Sequence, residues 1–299
     1  FKSTCATANL AAVAAIAARL YAPFDSKFAA KNLEAARKAW LWTEKFPNVT
    51  FKNPPGISTG EYGDGSCADE RLWAAAELWR STGDKTYNAY VVSHYPDFKS
   101  TVDTPAAEGW NDVGAMALWT YALGMRKGSD TFIIGNIRER TLQAAKTVVE
   151  NTKRNGYLVS LRPKDYVWGS NGVAATYGMQ LLIANALGPD PRFVETALSN
   201  LHYLLGRNTF SLSWVTQVGE NPYHHPHHRP SGGDNNPEPW PGLLSGGPNA
   251  GRQDPVLKKL PEGLPTAKVY ADDQGSYAGN EIAINWQASL VFLLAGTLP

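Results

Sequence analysis

The chain has 299 residues, 43% of them apolar and 18% charged, which is ample for a large buried core. Its 28 Lys and Arg nearly balance 27 Asp and Glu, giving a formal net charge of +1. With no basic field to release counterions, nucleic acid and an anionic membrane surface are excluded as partners, and a neutral partner is expected.

Aromatic residues stand out, with 10 Trp, 13 Tyr and 10 Phe against 3 Met. They suit either an aromatic-rich core or a cleft in which indole and phenol rings pack on the flat C–H faces of sugars. Helical periodicity marks roughly nine segments, near 4–21, 25–46, 68–82, 84–95, 110–126, 131–154, 171–187, 190–206 and 280–296. The first contains the apolar run Ala8–Ala18, which is short for a membrane span. Arg19 and Tyr21 follow it where a signal peptide would have a small-residue cleavage site, so it reads as a buried helix. Asp25 and Asp84 stand where N-caps belong, and Pro23, Gly83 and Pro189 mark ends or turns. Neither strand–helix alternation nor a glycine-rich phosphate loop is present. Cys5 and Cys67 make neither a disulfide framework nor a CxxC metal pair legible.

Two stretches interrupt the helical pattern. Residues 47–66 form a loop ending in carboxylates, and residues 207–279 form a longer one rich in Gly, Pro, Asn, His and Trp. A loop of that length in a compact domain is functional or disordered. Trp214, Tyr223, Trp240 and Tyr270 argue against disorder and predict a packed loop lining a site.

Two motifs could carry chemistry. Four of the six histidines fall in HHPHHR, from His224 to Arg229. A metal site there lacks a spaced partner, and Pro226 prevents a helical i, i+4 pair, so the motif reads as a hydrogen-bonding patch for a polar neutral ligand. In it, Arg229 offers a planar fork of donors. The second motif is YADDQGSYAGNEIAINWQA, Tyr270 to Ala288, in which Glu281 opens an apolar helix. Glu281 could be an ordinary acid favoured by the helix dipole. Alternatively, apolar neighbours including Tyr277 and Trp286 desolvate it into a proton donor.

These motifs, in this order, resemble the two signatures of glycoside hydrolase family 9, the inverting endoglucanases and related cellulases. SWVTQVGENPYHHPHHR (Ser213 to Arg229) resembles the first and places the functional histidine on His227. The second places the carboxylates on Asp272 and Glu281, with Gln287 where the pattern has Asn. TGEYGDGSCADERLWAAAELWRSTGD, KDYVWGSN and LHYLLGRN resemble the family as well. The opening STCATANLAAVAAIAARLYAPFD resembles members with an immunoglobulin-like module ahead of the barrel.

The resemblance implies an all-α fold, the (α/α)6 barrel, as a single domain over residues 1–299. It implies inverting hydrolysis of internal β-1,4-glucosidic bonds in a secreted enzyme acting on β-glucan. An exo-acting cellobiohydrolase or glucosidase, or a non-catalytic glucan-binding fragment, are the alternatives. Glu281 takes the acid role, His227 and Arg229 hold sugar hydroxyls, Asp272 supports the site, and Trp168, Trp286 and Tyr62 stack sugar rings. Trp40, Trp42, Trp73 and Trp79 are left as core. A structural calcium ion is implied on Asp69, Glu70 and Asp112, with carbonyl oxygens near Gly65 and Ser66; hard oxygen ligands suit it.

The family's base lies in a DAGD-type motif that is absent from this sequence. The barrel also has more helices than the roughly nine segments read here. An N-terminal complement carrying the base is therefore expected, and the chain begins at Phe1 rather than Met. Without that complement the chain would expose apolar faces and be poorly soluble. Substantial turnover by the chain alone would instead assign the base to a carboxylate such as Asp64 or Asp69.

Overall fold

A computed structural model of the chain describes residues 2–58, 60–103, 107 and 109–298. Among them are helices and isolated bridges but no strand, so the all-α expectation is met. The chain divides into two compact units, one of Phe1–Thr104 and Glu108–Thr141, the other of Pro105–Ala107 and Leu142–Pro299.

The first unit holds α1 (Thr4–Tyr21), α2 (Ser26–Lys45), α3 (Ala68–Thr82), α4 (Lys85–Phe98) and α5 (Gly114–Gly124). α1 packs on α2 and α3, and α3 on α4 and α5. α1 is long and apolar enough to cross a membrane by length and composition, with a mean hydropathy of 1.2. Its Ala8, Ala11, Ala12, Ala15 and Ala18 are buried, and their short side chains let neighbouring backbones approach closely. The Asp25 carboxylate caps α2 by accepting from Phe28 N at 2.9 Å, and that of Asp84 caps α4 by accepting from Thr86 N at 3.0 Å. Gly83 ends α3 in the left-handed region at φ 72°, where a side chain would be strained. α4 runs through Pro96 to Phe98, three residues past the expected end. α5 is shorter than the 110–126 read from periodicity. Trp40, Trp73 and Trp79 are core residues as expected, whereas Trp42 is only half-buried against Phe46.

Inside this unit the buried Glu77 carboxylate accepts from Arg19 Nη2 at 2.9 Å and from Thr120 Oγ1 at 2.7 Å, tying α1, α3 and α5 together. The two cysteines, from which no disulfide could be read in the sequence, form one across 62 residues. No spacing rule could reveal that pairing, because the packing of α1 on α3 creates it.

α6 (Thr131–Lys153) contributes residues to both units. The second unit holds α7 (Ser170–Leu187), α8 (Pro191–Leu204), α9 (Arg229–Gly233), α10 (Tyr277–Asn280) and α11 (Ile284–Thr297). α7 packs on α8 and α11 around Tyr177, Leu181, Phe193, Leu204, Leu290 and Leu293. The long loop is packed, with Trp214 and Tyr223 fully buried and Tyr270 nearly so. Trp240 departs from that expectation at 50% exposure, its indole N–H donating to Asp234 Oδ2.

The last helix is a second correction. The periodicity of 280–296 suggests one helix opening at Glu281, but α10 stops at Asn280 and α11 starts at Ile284. Glu281 is in extended backbone at φ −58° and ψ 149°, outside any first helical turn. The helix-dipole reading of this residue therefore fails.

Candidate active site

Glu281 lies in the second unit, where a break between helices sets its position. Its backbone forms a parallel bridge with His227: His227 N donates to Asn280 O at 2.8 Å, and Gly246 N to Glu281 O at 2.9 Å. These bonds to the long loop replace helical ones and turn the half-buried Glu281 side chain out of the core. The indole N–H of Trp168 donates to Glu281 Oε2 at 2.9 Å.

His227 is oriented in turn. Its Nδ1 lies 2.7 Å from Gln274 O. A carbonyl can only accept, so Nδ1 carries the hydrogen and Nε2 of the neutral ring is an acceptor. Tyr277 has its ring centroid 6.0 Å from that of His227 and 5.7 Å from that of Trp168. His227, His228, Arg229, Gln274 and Gly275 line a pocket of about 320 Å³. Arg229 is exposed at the start of α9.

Asp272 accepts from the backbone N–H groups of His224 and His225, both at 2.8 Å. Two charge-assisted bonds to consecutive amides hold the HHPHHR segment in place. Trp286 lies against Gly169 and Gly172, where an added Cβ would meet its ring at 2.5 Å, and it packs half-buried on the core. This is the placement of a packing residue. Gln287, the departure from the family pattern, accepts from Leu244 N at 3.0 Å and donates to Gly242 O at 2.9 Å.

Several supporting residues escaped the sequence reading. Asp254, at 0% exposure, accepts from Leu257 N at 2.7 Å and from Ser276 Oγ and Ala278 N at 2.9 Å. It therefore anchors the turn that leads through α10 to Glu281. Asn280, also fully buried, accepts from Tyr270 Oη at 2.5 Å and donates to Ala271 O at 2.6 Å. Asn171 donates to Ser245 O at 3.0 Å and lies against Gly247, where an added Cβ would meet the Asn171 amide at 2.4 Å. A lone Asp or Asn carries no sequence signal of this kind.

The residues expected to hold a cation lie in the first unit. Asp69 and Glu70 are both buried in the first turn of α3, and Asp69 Oδ2 accepts from Val113 N at 2.8 Å. That bond ties Val113, the chain neighbour of Asp112, to the first turn of α3; Asp112 Oδ1 accepts from Gly114 N at 3.3 Å. Ser66 N donates to Asp64 Oδ1 at 3.1 Å, which folds the segment carrying the Gly65 and Ser66 carbonyls. Glu70 is only 1% exposed, and its Oε2 has no hydrogen-bond partner among the described residues. Burial, with the charge of the adjacent Asp69, pushes the Glu70 carboxyl up from 4.5 to about 8. The orphaned buried Glu70 oxygen beside Asp69 suits a hard cation such as calcium, but among the described residues the structure does not bring the carboxylates of Asp69, Glu70 and Asp112 all within 4.8 Å of one another, and Asp112 is exposed. Tyr62 is 70% exposed, its ring edge-on to Trp110 at 5.4 Å, and it lines a pocket with Glu70 and Asp64.

Comparison with known proteins points one way. The description "Glycosyl hydrolase family 9" matches residues 1–294. Endoglucanase D of Acetivibrio thermocellus is 37% identical over 294 residues, covering 98% of this chain and 44% of that protein. The crystal structure of GH family 9 endoglucanase J30 aligns with a TM-score of 0.91 at 36% identity, over 99% of this chain and 55% of that one. The structure of AaCel9A in complex with cellobiose-like isofagomine aligns with a TM-score of 0.90 at 34% identity, over 98% of this chain and 55% of that one. The helical fold is thus that of the (α/α)6-barrel endoglucanases. The chain spans about half the length of the relatives it matches.

Proposed function

The chain belongs to glycosyl hydrolase family 9, and from that premise we propose that it hydrolyses internal β-1,4-glucosidic bonds of a β-glucan with inversion. The observation that carries the proposal is the Glu281 carboxyl, fixed by its backbone bridge to His227 and by the Trp168 indole. With Oε2 accepting from Trp168, the proton rides on Oε1 and passes to the bridging oxygen as the glycosidic bond breaks. The Nε2 acceptor of His227 and the guanidinium of Arg229 take sugar hydroxyls, and Asp272 holds the segment that presents both. The half-exposed Trp168 offers a face to a sugar ring.

Inversion needs a second carboxylate to activate water from the opposite side of the ring, roughly 6.5–9.5 Å from the first. We assign that base to the part of the relatives' length that this chain does not span. Two features support secretion: a polymeric substrate lies outside the cell, and the Cys5–Cys67 disulfide suits an oxidising compartment.

Asp69, Glu70 and Asp112, with the Gly65 and Ser66 carbonyls, would hold calcium. The ion would supply charge to neutralise the crowded acids and satisfy the orphaned Glu70 oxygen.

The test is Glu281→Gln in the complete enzyme, with viscosity and reducing ends followed on soluble β-1,4-glucan. Removal of the proton donor is expected to lower kcat by roughly 10²–10⁴-fold. Undiminished cleavage refutes the assignment.

A further inference from the structure

The disulfide stands beside Glu70 and Ser66, two of the proposed cation ligands. Cys67 is the N-cap of α3, nearly fully buried, and makes no side-chain cap bond. The proposed ligands flank it on both sides, with Gly65 and Ser66 before it and Asp69 and Glu70 after it. Cys5 is in the first turn of α1. Its Sγ lies 4.0 Å from Ser66 O, and both sulfurs and a Glu70 carboxylate oxygen lie within 4.8 Å of one another.

α1 supplies a wall of the same pocket. Ser3, Cys5, Ala6 and Asn9 line it together with Asp64 and Glu70. Asn9 Oδ1, one turn beyond Cys5, is a second buried acceptor with no partner among the described residues. Thus α1 and the 47–66 loop face each other across a space bordered by orphaned acceptors, and the covalent bond joins the two sides.

We propose that the Cys5–Cys67 disulfide is a positioning element of the calcium site, so that calcium affinity and disulfide stability are coupled. The inference rests on the calcium reading given above. Asp64, Asp69 and Glu70 are crowded acids, and without an ion the segment that carries them has no common ligand to close on. The cross-link holds the Ser66 carbonyl and the first turn of α3 against α1, so calcium meets a preorganised cage. Reduction by a dithiol, which delivers two electrons and two protons to the sulfurs and closes to its own cyclic disulfide, removes the tie. By thermodynamic reciprocity, calcium must then protect the disulfide by the same factor by which the disulfide tightens calcium.

The experiment measures calcium Kd by competition with a chromophoric chelator on oxidised protein, on dithiol-reduced protein and on C5S/C67S. Affinity is expected to fall by about tenfold in the latter two. The reciprocal arm uses wild-type protein in a fixed dithiol/disulfide buffer. There calcium, but not magnesium at the same concentration, is expected to raise the oxidised-to-reduced ratio by the same factor. Melting in excess chelator separates a general staple from a positioning role: a staple lowers Tm alone, whereas positioning also shrinks the rise in Tm that calcium produces. Equal Kd in all three proteins, or a redox ratio that calcium does not move, overturns the inference and leaves the calcium site standing. No calcium binding by the oxidised protein overturns both. Should C5S/C67S fail to fold, the redox arm on the wild-type protein decides.

Discussion

Trp168 and Glu281 are 113 residues apart in the chain, and the indole Nε1 of the first donates to Oε2 of the second at 2.9 Å. The bond fixes one carboxylate oxygen and leaves the other for the proposed proton transfer. Trp168→Phe keeps an aromatic face and removes only the donor. The carboxyl gains charge as its proton leaves, and a hydrogen bond to a charged group contributes about 1.5–3 kcal/mol, so kcat on soluble glucan is expected to drop by at least roughly tenfold. If kcat is unchanged and only KM rises, the residue serves sugar stacking alone.

Asp254 bears on the same carboxyl through the backbone. Asp254→Asn sets an NH₂ group among three donors that now converge on a carboxylate. A buried donor left without an acceptor costs about 1–3 kcal/mol, and that destabilisation should appear as a lower denaturation midpoint. Activity is expected to fall further than stability, because the turn leading to Glu281 loses its anchor.

Gly172 tests the packing of Trp286. The Cβ of Gly172→Ala would meet the indole Cδ1 at 2.5 Å and its Cγ at 2.6 Å. Overpacking of this kind costs about 1–3 kcal/mol, to be read from urea unfolding with m unchanged. A neutral effect would mean that the ring is free to move, as a surface stacking residue would be.

The proposed calcium ion would leave a pH signature on its removal. In calcium-free protein the Glu70 carboxyl is raised to about 8, above its ordinary 4.5. A raised folded-state value contributes stability that is complete below 4.5 and is lost as pH climbs through about 8. Tm in chelator is therefore expected to decline across that window. With saturating calcium, which prefers the ionised carboxylate, the decline should flatten, and the gap between the two curves should widen with pH. Coincident curves would count against calcium on Glu70.

Much of the architecture was legible because helices announce themselves locally. The alanine spacing of α1, the Asp25 and Asp84 caps and Gly83 each act within a turn of their own position. Glu281 shows where that logic stops. The apolar run after it reads as helix from 280 onward, yet bonds from His227 and Gly246 hold Asn280 and Glu281 to the long loop and delay α11 to Ile284. Those partners lie tens of residues away, and periodicity carries no information about them.

The amino-acid order alone therefore determined an all-helical chain of this family and the two motifs around His227 and Glu281, since each is a pattern of near neighbours. Only the tertiary structure decided that Trp168 reaches Glu281, that Asp272 and Asp254 hold loops, that Trp286 packs against glycines, and that Cys5 meets Cys67. Each of these contacts joins segments far apart in sequence. Which of them form is settled by how the helices pack, and the energy of that packing is spread over the whole core.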